Sequence, residues 1–486
     1  MDIDMKSDLT RNCPRVVISA GHKSSGKTVT TVGICAALAE RGINVQPYKK
    51  GPDYIDPGWL STAAGKECHN LDYFMTGWDG VLDVFSRHSR NSDVNIIEGN
   101  KGLYDSIEVD GEGSTANLAR HLNAPVVIVL DTSRITRGVA PLLLGYKAFE
   151  PDIRIAGVIL NKVASARHEQ KLRAVIEKYC DMEILGVIRK SKEMEVLERH
   201  LGLMPAGEEM GLYPAVKEIA KVVGASVNLD RILEIASSAE PMAFEPVKSA
   251  TFPTPSVTIG VVKDKAFTFY YPENLEALRS AGANLVPVNS LMDGRLPENI
   301  DALYVGGGFP EAFMEKIGMN ESLREDIRLS IENGMPVHAE CGGLIYLAKS
   351  VSWKNVTAPM VGALDCEVII RKRPKGHGYM TLKSTGKSPW ITCVGEMKAH
   401  EFHYGEVVNS SHTDFAFDVL RGNGIDGKHD GIVYKNVTAS FCHLHHLGCT
   451  NWAEGFVNFA KRINYSKLPK SLFSLSKETS LEKVTI

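Results

Sequence analysis

Residues Val16 to Thr28 read VVISAGHKSSGKT, and few stretches of this length restrict a fold so tightly. Three β-branched residues, Val16 to Ile18, favour a short buried strand. Gly21-x-x-x-x-Gly26-Lys27-Thr28 follows, and an amphipathic run from Val29 to Arg41 stops at Gly42, as a helix with a glycine end would. Strand, glycine-rich loop and helix in that order form a phosphate cradle. The loop's backbone N–H groups and the helix N-terminus present unpaired donors and positive partial charge. Lys27 is expected on the β/γ-phosphate oxygens, the Thr28 hydroxyl on Mg²⁺, and Gly21, Ser25 and Gly26 along the loop. The stretch implies a site for a nucleoside triphosphate.

Further strands are expected at Ile43 to Tyr48, Val94 to Ile97, Pro125 to Leu130 and Ile155 to Leu160, separated by helical stretches. Such alternation predicts an α/β fold, a parallel sheet with helices on both faces. Ligands of these sheets lie at the carboxyl ends of the strands. The polar motifs stand there: Lys49-Lys50-Gly51-Pro52-Asp53-Tyr54-Ile55-Asp56-Pro57, Glu98-Gly99-Asn100-Lys101-Gly102-Leu103-Tyr104-Asp105, Asp131 and Asn161-Lys162. Thr28, Asp53 and Glu98 are the expected Mg²⁺ ligands, since oxygen donors suit a hard ion. Asp56 and Asp105 are expected to place a substrate or ammonium.

A chain of 486 residues exceeds one core, and a net charge of -3 gives no electrostatic footprint for nucleic acid. No apolar run is long enough to span a bilayer, and the polar, acidic start is unlike a signal peptide. Nine cysteines without a C-x-x-C pair argue against a disulfide framework and a zinc site, so a reducing, cytoplasmic setting is expected. Four prolines without periodicity between Ala236 and Ser256 mark a linker. The expected organisation is a leader over 1–13, a domain over 14–235, the linker over 236–256, a second domain over 257–464 and a flexible tail over 465–486.

The second domain alternates again. Strands are expected at Val257 to Val262, Leu285 to Val288, Ala302 to Val305 and Pro336 to Ala339, with a helix from Glu273 to Ser280. Glu340-Cys341-Gly342-Gly343 follows the last of these strands and precedes a helix. That is a nucleophile elbow, where small neighbours admit a substrate and the helix N-terminus favours a thiolate. A cysteine nucleophile needs a base, and His443 is chosen, at the end of a strand expected from Gly431 to Phe441. Gly307 and Gly308, in a three-glycine run starting at Gly306, offer N–H groups for an oxyanion hole. No carboxylate stands at ligand spacing around His443, His445 and His446, so no metal is assigned there. His400 and His403 are given to core or substrate contacts.

These motifs occur in the order found in cobyrinic acid a,c-diamide synthases, and from about residue 15 to 463 the chain resembles that family. The resemblance rests on the Walker loop, KKGPDYIDP, EGNKGLYD, GVILNKV, FYYPENLE, YVGGGFPE, HAECGGLIYL, HEFHY and ASFCHLH. It implies an N-terminal synthetase domain related to dethiobiotin synthetase and a C-terminal class I, triad-type glutamine amidotransferase domain. It implies use of ATP, Mg²⁺ and L-glutamine to amidate the a- and c-acetates of a tetrapyrrole polycarboxylate in cobalamin biosynthesis. It also implies that Asn161 bonds the adenine and that Tyr54 and Ile55 shape the position of the macrocycle. The P-loop class suggests a homodimer.

Two departures stand out. Asn100-Lys101 resembles the siroheme amidases of the same family, which leaves cobyrinate, sirohydrochlorin and siroheme open, and Lys101 is expected on a substrate carboxylate. Where most triad amidotransferases follow the histidine with Pro-Glu, Leu444-His445 follows here, which fits a Cys–His pair without an acid. From another class, a P-loop switch with a non-catalytic amidotransferase-like domain would place a second lysine where His22 stands, with Lys23 one residue too late.

Overall fold

The computed structural model describes residues 10–191, 194, 212–243, 252–449 and 451–463. The expected tail over 465–486, residues 1–9 of the expected leader and 244–251 of the expected linker lie outside them. Thr10–Arg11 pairs antiparallel with Met242–Ala243, so a piece of the expected leader and a piece of the expected linker meet in a small ribbon.

The N-terminal sheet has seven strands, all parallel. Their order is His69–Leu71, Val45–Lys50, Val94–Glu98, Arg15–Ala20, Val126–Asp131, Ile155–Val163 and Ile184–Arg189. The two outermost strands are additional to those expected from the sequence. Strand Arg15–Ala20 is buried at every position, and the order reverses beside it, so the loop that follows it opens at a topological switch point. The helix behind that loop, Lys27–Glu40, is not the one-sided amphipath expected: it is buried on almost every face. Helix Leu212–Ser226 covers its outer side, and a Cβ on Gly33 would come within 2.5 Å of Val223. Only glycine permits that approach.

The C-terminal half is built on a ten-stranded mixed sheet. Ala283–Val288, Val257–Val262, Ala302–Val305, Val337–Glu340 and Val437–Ser440 run parallel. His429–Tyr434, Phe415–Arg421, Gly376–Ser384, Glu396–His403 and His443–Leu444 continue it antiparallel. A four-stranded sheet, Val356–Pro359, Ser350–Trp353, Glu367–Ile370 and Gly405–Val408, stands beside it. The single strand expected over Gly431 to Phe441 is instead a hairpin, His429–Tyr434 and Val437–Ser440. Lys435 turns the chain with a φ of 50°, the left-handed geometry of a two-residue hairpin loop.

Candidate active sites

At the first site Ser24 and Gly26 adopt left-handed φ values of 67° and 82°, which folds the loop back over the start of helix Lys27–Glu40. Gly21 sits at the loop's start, where a Cβ would stand 3.2 Å from Leu130, and the Ser25 hydroxyl donates to the His22 carbonyl at 2.7 Å. The loop borders a cavity of about 660 Å³ shared with Lys49, Asp53, Asp56, Lys101 and Asp131. Beneath it lies a charge network. Lys27 Nζ bonds Glu98 Oε1 at 2.5 Å, the Thr28 hydroxyl donates to the same oxygen at 2.6 Å and approaches Asp56 Oδ2 at 3.3 Å. Lys49 bridges Glu98 and Asp56. Burial would raise the Glu98 carboxyl, but Lys27 and Lys49 outweigh it and hold the group down at about 2. Asp56 goes the other way, up to about 6, because burial and its acidic neighbours overcome the pull of Lys49. Lys49 carries this network and has no role in the sequence reading; its signal was a lysine ending a strand beside two carboxylate motifs.

The second oxygen of Glu98 is buried without a partner, its first is shared with the Thr28 hydroxyl, and Thr28, Asp53 and Asp56 line the cavity above. That all-oxygen set fits a hard divalent cation. Asp53 also shapes its own loop, its Oδ1 accepting from Ile55 N and Asp56 N, both at 2.9 Å. Asn161 is placed under the loop with both ends engaged: Nδ2 donates to the Ser25 carbonyl at 2.9 Å and Oδ1 accepts from Lys162 N. These bonds leave one N–H of Nδ2 and one lone pair of Oδ1 over.

A second cavity, about 810 Å³, adjoins the first and is walled by both halves of the chain. Lys50, Asp53, Tyr54, Ile55, Lys101 and Asp105 face it from one side, His377, Tyr379, His400 and Arg421 from the other. Tyr379 donates to Asp72 across the boundary at 3.0 Å. Lys101, with a left-handed φ of 51°, borders both cavities. Asp105 is tied to its own turn, accepting from Gly102 N at 2.8 Å.

At the other site Cys341 links strand Val337–Glu340 to helix Gly342–Leu347 with φ at +49°, a strained value for a non-glycine residue. Close packing forces small neighbours: a Cβ on Gly308 would lie 1.9 Å from the Ala266 carbonyl, and one on Gly343 2.4 Å from the Val305 carbonyl. Glu340 pairs with Ser440 in the adjacent parallel strand, so Cys341 and His443 emerge at the same sheet edge. A Cβ on Gly307 would meet His443 Cε1 at 2.4 Å. The N–H groups of the glycine run are not all free. Gly306 N donates to the Tyr270 hydroxyl and Gly307 N to the Phe269 carbonyl, whereas Gly308 N faces the elbow, 2.9 Å from where a Gly342 Cβ would stand. The oxyanion expectation on Gly307 is therefore corrected, because that donor is already used.

A second correction concerns the thiolate. Burial, followed by the nearby Glu311 carboxyl, pushes the Cys341 thiol up, and the Gly342 N–H at the start of the helix pulls it only partly back. The thiol donates to the Phe402 carbonyl at 3.6 Å. His443 is pushed down to about 4 by burial, against the pull of Glu340, so it is neutral at ordinary pH and able to accept a proton. His400 pairs with His443 along the strand edge, and His403 stacks on Phe441 at 3.7 Å. His445 Nε2 lies 3.5 Å from Glu273 Oε2, a carboxylate from a distant helix that also bonds His69 Nδ1 at 2.6 Å. Spacing along the chain gave no hint of it.

One loop joins the two sites. Tyr54, between Asp53 and Asp56, places its ring 4.4 Å from the His443 ring, stacks on Phe269 at 5.3 Å and meets the Tyr271 hydroxyl at 2.8 Å. Its neighbours face the phosphate loop while its own side chain closes over the histidine.

A phosphate-loop domain whose substrate cavity is completed by a cysteine–histidine domain defines the class: a nucleotide-binding unit fused to a glutamine amidotransferase. Residues 16–203 match the family described as CobQ/CobB/MinD/ParA nucleotide binding domain, and 258–450 the CobB/CobQ-like glutamine amidotransferase domain. The chain is 46% identical over 453 residues to the cobyrinate a,c-diamide synthase of Magnetococcus marinus, covering 92% of this chain and 97% of that one. The proteins of that name from Archaeoglobus fulgidus (43% identical, 93% and 99% covered) and Methanosarcina acetivorans (38%, 94% and 97%) are also similar. The chain belongs to this family of glutamine-dependent amidating ligases.

Proposed function

We propose that the chain amidates the a- and c-acetate carboxylates of cobyrinic acid with ATP and glutamine. The observation that carries this reading is the Asp53–Asp56 loop, which meets the phosphate cradle with its carboxylates and the amidotransferase histidine with Tyr54.

A carboxylate does not exchange oxide for ammonia unaided. Its oxygen attacks the γ-phosphorus of ATP and ADP departs; ammonia then adds to the acyl phosphate, phosphate leaves and one amine proton is lost. Such transfer depends on positioning and charge neutralisation. Lys27 and the loop from Gly21 to Gly26 hold the phosphates. Thr28, Asp53 and Glu98 would hold Mg²⁺, which when bound supplies further neutralisation. Lys49 bridges Asp56 and Glu98 and offsets their charge, Asp56 and Asp105 face the incoming acceptor, and Lys101 lies where a carboxylate substituent of a macrocycle would enter. The larger cavity suits a polycarboxylate ring: aromatic walls, Tyr54, Tyr379 and Phe74, alternate with Lys50, Lys101 and Arg421.

In the amidotransferase half, Cys341 attacks the glutamine side-chain amide while its proton passes to His443. The C–N bond breaks, ammonia carries that proton away, and water hydrolyses the glutamyl thioester to glutamate and free thiol. Gly308 N–H is the available oxyanion donor. Among the described residues no helix is long and apolar enough to cross a membrane.

Purified protein offered cobyrinic acid, sirohydrochlorin or siroheme with ATP, Mg²⁺ and glutamine, with products read by mass, tests the reading. Two successive acid-to-amide exchanges on cobyrinic acid are expected. Amidation of siroheme alone would move the chain to the branch its Asn100-Lys101 pair resembles, and amidation of sirohydrochlorin alone would overturn the choice of macrocycle.

A further inference from the structure

By sequence His443 lacks an acid partner, but in space it has one. Glu340, the last residue of strand Val337–Glu340 and the immediate neighbour of the nucleophile, is 1% exposed and places Oε2 3.8 Å from His443 Nδ1. Three contacts hold that carboxylate in place. The Tyr304 hydroxyl donates to Oε2 at 3.0 Å, Leu444 N donates to Oε1 at 3.2 Å, and His338 Nε2 lies 3.3 Å from Oε1. Leu444 directly follows His443, so the acid is pinned to the backbone that carries the base. Nε2 of His443 is buried without a partner. His445, two residues on, is turned to Glu273 instead.

We propose that Glu340 is the positioning residue of the amidotransferase site: it accepts the Nδ1 proton of His443, fixing the tautomer whose Nε2 is the free base, and faces the imidazolium formed when Cys341 attacks. The inference rests on the reading of Cys341 and His443 as the glutamine-hydrolysing pair. The thiol proton moves to Nε2 as the S–C bond forms and leaves with ammonia as the C–N bond breaks; Glu340 keeps its charge throughout. At 3.8 Å the resting contact is longer than a hydrogen bond, and such contacts tighten in the substrate complex. In a serine-protease triad, loss of the equivalent charge leaves the geometry intact and costs about 10⁴ in kcat through the wrong tautomer. The acid here comes from the strand before the nucleophile rather than from the segment after the histidine.

Besides Glu340, the groups facing His443 are His403, His400 and the ring of Tyr54. None of these is an anion at neutral pH, so the test is specific. Glu340→Gln retains the shape and an acceptor for Leu444 N while removing the charge. Glutamine hydrolysis should fall about 10²-fold or more in kcat with little change in KM. Amidation from ammonium salts and the melting temperature should stay at wild-type values. The acid limb of kcat/KM for glutamine should move to lower pH, because the imidazolium loses its anion, and Glu340→Asp should recover part of the rate. A glutamine kcat within about threefold of wild type, with an unmoved acid limb, overturns the proposal. A variant that does not fold leaves a direct measurement on the wild type. Histidine ¹⁵N spectra, with His443 assigned against His443→Asn, should show the Nδ1-protonated tautomer at neutral pH, and an Nε2-protonated His443 overturns it equally.

Discussion

The two sites meet at Tyr54 and differ in almost every physical respect. The phosphate-loop site is open and ionic: a cavity of about 660 Å³ lined by lysines and carboxylates, over the buried Glu98 carboxylate that pairs with two of those lysines. The cysteine site is closed and nearly uncharged on its reacting groups: Cys341 is 3% exposed with its thiol pushed up, and His443 is 1% exposed and pushed down to about 4. Each suits its reaction. Phosphoryl transfer needs fixed charge that solvent-borne ions can reach, whereas thiol chemistry gains from a neutral base in a dry pocket. The contrast also implies an order of events. The first site should load freely, and glutamine should reach the second only once the aromatic cover over His443 moves.

The sharpest way to break this comparison is to disable the sites one at a time. Cys341→Ala should abolish glutamine-dependent amidation, at least about 10³-fold, while ammonium-dependent amidation stays near wild type. Lys27→Ala should abolish both by a similar factor. Product formation with each nitrogen source reads the split, and loss of the ammonium reaction in Cys341→Ala would mean that the sites are not separable.

Tyr54 tests the join. If its ring holds the cysteine site shut, Tyr54→Ala should let glutamine be hydrolysed without ATP or acceptor, several-fold above the wild-type background, and push glutamate per amide above one. Tyr54→Phe keeps the ring and loses only the bond to Tyr271, so it should stay close to wild type. Equal coupling in wild type and Tyr54→Ala would remove the loop from the account.

A smaller effect separates the halves by pH. His443 and His446 are held down at about 4, and His400 and His88 at about 3, by burial. Unfolded histidines bind protons near 6.5, so between that value and the folded ones the unfolded chain holds more protons. Stability is therefore full above about 6.5 and falls as pH drops toward 4, by about 1.4 kcal/mol per pH unit for each such proton. Three of the four lie in the C-terminal half, so a melting series from pH 7.5 to 5 should show that half losing its transition temperature first. A melting temperature independent of pH over that range would contradict the burial of these rings.

The smallest expected change concerns choice of macrocycle. Lys101 borders both cavities without touching the cysteine site. Lys101→Met should shift relative kcat/KM among cobyrinate, sirohydrochlorin and siroheme by a few-fold, about 1 kcal/mol, and leave glutamine hydrolysis unchanged. Unaltered preference retires that role.

What the chain disclosed in advance was whatever is encoded locally. The VVISAGHKSSGKT stretch and the Glu340-Cys341-Gly342-Gly343 turn each set strand, tight turn and helix within a dozen residues, and both turns form where expected. Strands Gly376–Ser384 and Phe415–Arg421 gave weaker patterns because both are half-exposed and interrupted by charge. The hairpin at Lys435 was hidden because no glycine marks its turn. The engagement of Gly307 N by Phe269, the bridge made by Lys49 and the approach of Glu340 to His443 are products of tertiary placement. Glu340 is the instructive case. It adjoins the nucleophile in sequence, yet its role becomes visible only when a strand 100 residues away brings His443 alongside.

If the two sites act as one, nitrogen freed at Cys341 should reach the acyl phosphate without leaving the protein. Amide-¹⁵N glutamine supplied with unlabelled ammonium at equal concentration tests it in one reaction. The account predicts product carrying predominantly ¹⁵N in the wild type and only unlabelled nitrogen in Cys341→Ala. A wild-type product whose label matches the pooled ammonium would contradict it.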